Sequence, residues 1–85
     1  MSVQGQTVLN IVSYCVSECK TGDIQIAWKL VPSTKKLLQA CVDATPTTAT
    51  ETLSDLYNLR RELSAAHKVL LRRVMVSWGS MELED

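Results

Sequence analysis

Between Val8 and Cys19 the apolar residues fall at Val8, Leu9, Ile11, Val12, Cys15, Val16 and Cys19. That spacing is the period of a helix with one buried face, and Gly22 behind it is a natural stop. A first helix is expected over residues 6–21. From Ile24 onward, Ile24, Ile26, Trp28 and Leu30 alternate as they would in a strand. No second segment could pair with it, and a lone strand leaves its backbone groups unsatisfied. The pattern therefore predicts a helix over 23–43. Leu37, Leu38, Cys41 and Val42 continue its apolar face. Pro32 either bends this helix or starts a second piece at Ser33, because proline removes an internal hydrogen bond.

Thr45-Pro46-Thr47-Thr48 is the clearest break in the chain, since proline and clustered threonines favour turns and caps. Thr48 precedes Glu51 by three residues, the spacing of a capping box. A third helix is predicted over 50–78, ~40 Å long at 1.5 Å per residue. Gly79 is expected to end it, with a frayed tail from Met81 to Asp85. Leu56, Leu59, Leu63, Ala66 and Leu70 follow a 3-4-3-4 spacing, the seam of closely packed, near-parallel helices. Val69, Leu71, Val74 and Val76 widen that surface.

Eighty-five residues make one domain, 1–85, with a thin core. At 46% hydrophobic the chain carries more apolar side chains than a lone small domain easily hides. The surplus points to an all-α homo-oligomer, with the leucine seam (Leu56, Leu59, Leu63, Ala66, Leu70) as its subunit contact. Trp28 and Trp78 are expected in the core or at that contact, because no aromatic platform for single strands accompanies them.

Other chemistries find little support. Three cysteines, an odd number, argue against a secreted disulfide framework. No signal peptide is read at the start, and no stretch approaches the ~20 apolar residues that span a bilayer. Cys15 and Cys19 share a helix face, and with Cys41 and His67 could form a zinc site. Their spacing matches no common zinc motif, and each cysteine sits on an apolar face, so buried structural thiols are expected instead. His67 has no evident nucleophile or carboxylate partner. No catalytic residue, metal or cofactor is expected, and the chain is read as a non-enzyme.

The charge pattern is more informative. Net charge is zero and the pI is about 6.5, which is not the basic signature of a nucleic-acid binder. Locally the picture differs. From Arg60 to Arg73 there are five basic residues, Arg60, Arg61, Lys68, Arg72 and Arg73, against the single acid Glu62. Ser54, Asn58, Arg61, Ala65, Lys68 and Arg72 step by 4, 3, 4, 3 and 4, so they keep to a narrow arc of the helix, away from the seam. Such a stripe, uninterrupted by acid, suits an A-form duplex, which proteins recognise through its backbone and 2′-hydroxyls across the minor groove. The plain alternative is a solvated helix face. Lys35 and Lys36, beyond Pro32, are read chiefly as solvated, with backbone phosphates as a secondary role.

The run Asp55-Leu56-x-Asn58-Leu59, followed by Leu63, Ala66 and Arg72-x-Val74, resembles the long central helix of the insect nodavirus RNA-silencing suppressors. Val31-Pro32 resembles a Leu-Pro step upstream of it, and the resemblance covers roughly residues 28–78. It implies an antiparallel homodimer with a four-helix-bundle-like core, each chain a helical hairpin with one long C-terminal helix. It also implies a viral protein of the host cell cytoplasm that shields double-stranded RNA from Dicer-type processing and so suppresses RNA interference. A host Dicer-type nuclease is then a further candidate partner. The essential arginine falls on Arg72, and Asn58 matches an asparagine of that helix. Ala65 stands where the family has a lysine and Ser54 where it has an arginine, leaving Arg61 and Lys68 to compensate. The RNA-binding set expected is Arg72, Arg61, Lys68 and Asn58, supported by Arg60 and Arg73. The rival reading is a helical adaptor whose leucine seam docks on another protein.

Overall fold

A computed structural model describes residues 3–84. Three helices account for nearly all of them: α1 (Val3–Thr21), α2 (Ile24–Ala44) and α3 (Thr50–Glu84). No strand occurs among the described residues, so the alternation at Ile24–Leu30 lies within a helix. All three helices pack on one another.

The α1–α2 turn is set by local chemistry. Asp23, in extended conformation, caps α2, its carboxylate accepting from the Gln25 amide at 2.8 Å and the Ile26 amide at 3.3 Å. Its own amide donates to the Glu18 carboxylate at 2.9 Å. Gly22 is needed here because of space rather than a left-handed backbone. A Cβ at this position would collide with the Glu18 side chain and the α1 backbone.

Pro32 neither breaks α2 nor starts a new piece; α2 is one helix with Pro32 inside it. The ring is exposed, so the Trp28 carbonyl that loses its partner lies on the hydrated side of the helix, where water replaces the bond.

α3 starts at Thr50 as expected, but its cap and its far end differ from expectation. Leu53 N–H donates to the Ala49 carbonyl at 3.0 Å, so Ala49, not Thr48, occupies the cap and the Thr48–Glu51 box does not form. Glu51 still sits in the first turn, where its charge favours the helix dipole. At the other end α3 continues through Gly79 to Glu84. A glycine inside a helix costs about 1 kcal/mol relative to alanine but does not bar the helical backbone. The predicted tail is therefore helical from Met81 to Glu84, and Asp85 lies outside the described residues.

The core is drawn from all three helices. Val12, Cys15 and Cys19 of α1 meet Ala27, Val31 and Leu38 of α2 and the α3 seam. Seam residues Leu56, Leu59, Leu63, Ala66 and Leu70 are only 7, 6, 1, 0 and 0% exposed within the single chain. The expected partner of the seam was a second subunit. Instead α1 and α2 of the same chain fill it, and it has no surface left to offer. The molecule measures 56 × 20 × 15 Å, its length being that of α3, about 52 Å at 1.5 Å per residue. The shorter α1 and α2 cover α3 as far as Val74, and its last turns run on past them.

Candidate nucleic-acid interface

At 100° per residue, Ser54, Asn58, Arg61, Ala65, Lys68 and Arg72 stay within about 80° of arc on the side of α3 opposite the seam. All six are exposed. The rest of α3 forms two flanks. Asp55 and Glu62 lie along one flank, the flank that also carries Arg73 and faces α1. Arg60, Ser64 and His67 lie along the other, facing α2, where Lys35 reaches His67.

Arg73 is not part of the interface. It is partly buried and its guanidinium caps the end of α1. Nη1 donates to the Glu18 carbonyl at 3.2 Å and the Cys19 carbonyl at 3.0 Å, and Nη2 to the Gly22 carbonyl at 2.6 Å. A helix C-terminus leaves carbonyls short of partners; the Glu18 carbonyl also accepts from the Gly22 amide at 3.0 Å, and a cation there favours the dipole. The expected supporting role of Arg73 in RNA binding is therefore replaced by a structural one. Its neighbour Arg72, one position earlier and 100° away, faces solvent.

Arg60 is exposed and its guanidinium lies 5.7 Å from the centroid of the Tyr57 ring, a cation–π contact that holds the planar group on the α2 flank. Lys35 Nζ lies 3.0 Å from His67 Nδ1. Lysine can only donate, so Nδ1 accepts and the neutral ring carries its proton on Nε2. Burial, and then the Lys35 charge, hold His67 below its ordinary pKa of 6.5.

The folded protein thus resists a proton that the unfolded chain accepts. The contribution of His67 is complete above about pH 6.5 and is lost as pH falls from there through the folded value. We expect the urea midpoint to drop on acidification from about pH 7 to about pH 5, and to drop less in His67→Gln. Equal slopes in the two proteins would show that His67 does not drive this part of the pH dependence.

Three shallow depressions connect across this side. One, of about 510 Å³, lies on the outer part of α3 between Tyr57, Arg60, Arg61 and Lys68, with Ser64 and Ala65 between them. A second, of about 360 Å³, lies between α2 and α3 and is lined by Lys35, Lys36, Gln39, Arg60 and Ser64 over Leu38 and Leu63. The third is bounded by Trp28, Val31, Pro32, Lys35 and His67. No aspartate or glutamate lines any of them. The gathering of Lys35 and Lys36 with Arg60 was missed in the sequence. The signal lay in the apolar phases of α2 and α3, which, once the helices run antiparallel, bring residues 35–39 opposite residues 60–67.

The cysteines behave as buried packing groups. Cys15 and Cys19 are 1% and 0% exposed, and burial, with Cys15 beside it, pushes the Cys19 thiol up to about 11. Among the described residues no three His, Cys, Asp or Glu side chains are grouped to hold a metal ion, and no helix is long and apolar enough to cross a membrane. The tryptophans are not in the core of the single chain. Trp28 is 51% and Trp78 66% exposed, because the core closes without them. No known protein family, characterised protein or solved structure matches this chain.

Proposed function

We propose that this chain binds double-stranded RNA along the outer side of α3, without regard to sequence. The observation that carries the reading is the shared exposure of Asn58, Arg61, Lys68 and Arg72 on one side of an unbroken helix. From Ser54 to Arg72 that side runs about 27 Å, with only small or polar residues between the cations. Arginine offers phosphates a bidentate fork, and the Asn58 carboxamide can both donate to and accept from a ribose 2′-hydroxyl. A net charge of zero is no obstacle, because the duplex meets a local field rather than the sum over the molecule.

In this reading the protein is a viral suppressor of RNA interference, acting in the host cytoplasm by covering duplex RNA that a Dicer-type nuclease would cut. It acts as a homodimer. Since the leucine seam is filled within one chain, the subunit contact falls on exposed apolar residues at i, i+4 and i+7 in the second half of α3, Leu71, Met75 and Trp78. The same three residues favour a second reading, a helical adaptor that docks another protein there while the basic side faces solvent.

Titrating duplex RNA, duplex DNA and single-stranded RNA at two salt concentrations separates the two. Preference for duplex RNA, with affinity falling steeply as salt rises, is the expected result. Arg72→Gln should lose most of that affinity while keeping the wild-type melting temperature. Equal, weak retention of all three nucleic acids would leave the adaptor as the better account.

A further inference from the structure

The cleft between α2 and α3 is a strongly basic surface that the stripe on α3 does not include. Its two walls bring Lys35 and Lys36 to the same side as Arg60, over the buried floor of Leu38 and Leu63. Arg60 and Ser64 line both this cleft and the outer depression of α3. Lys35 joins it to the depression beside Trp28. The result is one surface whose three depressions have no acidic lining residue, with Lys35, Lys36 and Arg60 along the cleft and Arg61, Lys68 and Arg72 along the outer side of α3. Helices in contact lie 8–10 Å apart between axes, so the lysines of α2 stand about one helix away from the cations of α3.

We infer that the α2–α3 cleft is a second phosphate-binding row, which takes the ribose-phosphate backbone of one strand while the outer side of α3 takes the other. This rests on the duplex-RNA reading and adds to it the residues that would engage the second strand. The chemistry of the lining fits that occupant. Lys35 and Lys36 supply point charges and Arg60 a planar fork, already oriented by its contact with Tyr57. The Ser64 hydroxyl donates and accepts. The Gln39 amide nitrogen donates to Asp43 at 2.9 Å, which leaves the Gln39 carbonyl oxygen to accept from a 2′-hydroxyl. Lys35 is not neutralised by its partner, because His67 accepts its hydrogen bond as an uncharged ring. An A-form minor groove is wide and shallow and presents sugars and backbone from both strands, so two parallel cationic rows meet it better than one.

The experiment compares the salt dependence of duplex-RNA binding in the full chain, in Lys35→Gln/Lys36→Gln and in Arg61→Gln/Lys68→Gln. Each lost phosphate contact should lower the slope of log affinity against log salt by about 1. The α2 pair should therefore lower it by about 2 and weaken binding to all duplex sequences alike. Lys36→Gln alone, which leaves the Lys35–His67 bond in place, should give about half that change and a wild-type circular dichroism melt. A slope unchanged in the α2 variants but reduced in the α3 variant overturns the second row and leaves the α3 interface standing. A slope unchanged in all of them overturns both. If the α2 pair instead loses only the capture of a poly-glutamate peptide, the cleft belongs to an acidic protein partner and the assignment to RNA fails.

Discussion

Arg73→Gln should destabilise the fold by about 2–3 kcal/mol, since it removes charge-assisted hydrogen bonds of about 1.5–3 kcal/mol each and leaves carbonyls that water only partly satisfies. The three acceptors, on Glu18, Cys19 and Gly22, belong to the end of α1 and the turn into α2. The substitution therefore releases the closed end of the α1–α2 hairpin from α3. For a domain of this size a loss of that order lowers the melting temperature by roughly 10–20 °C. Arg73→Lys should rescue little, because one ammonium cannot span three carbonyls. The contrast with Arg72→Gln is the discriminating part. Two adjacent arginines should separate cleanly, one moving the melting curve and the other the RNA titration. A melting temperature within a degree or two of wild type for Arg73→Gln would show that α1 is held by its apolar face alone.

The second large effect is expected at Leu63→Ala. Leu63 is 1% exposed in the middle of the α3 seam, and its removal opens a cavity among α1, α2 and α3. Such substitutions cost about 2–5 kcal/mol, a large share of the roughly 5–15 kcal/mol that holds a small domain together. The unfolding midpoint in urea should fall sharply with little change in slope. Because the seam is closed within one chain, the size of the loss should not depend on protein concentration. A loss that shrinks as concentration rises would return Leu63 to a subunit contact.

Periodicity made the helices legible and their partners illegible. The 3-4 spacing of Leu56 to Leu70 states that something covers this face, but not whether the cover belongs to the same chain. Here α2 supplies it through Ala27, Val31 and Leu38, and α1 through Val12, Cys15 and Cys19, a segment whose job could not be assigned from sequence. The same limit applies to charge. Arg61, Lys68 and Arg72 lie opposite the seam, so any packing of the seam exposes them. Arg73 lies on a flank, and only the side taken by α1 decides whether it meets water or backbone. Lys35 and Lys36 were likewise ambiguous until the antiparallel course of α2 set them beside Arg60. Glycines misled in a different way. Gly22 ends a helix where Glu18 leaves no room for a Cβ, whereas α3 continues through Gly79.

The exposed cations of α3 gather on its outer side and α2 flank while Asp55 and Glu62 lie on its α1 flank, so a chain with no net charge presents an uneven field around this helix. A polyanion then exerts little pull on the molecule as a whole but a definite torque, turning the cationic flank forward before any contact is made.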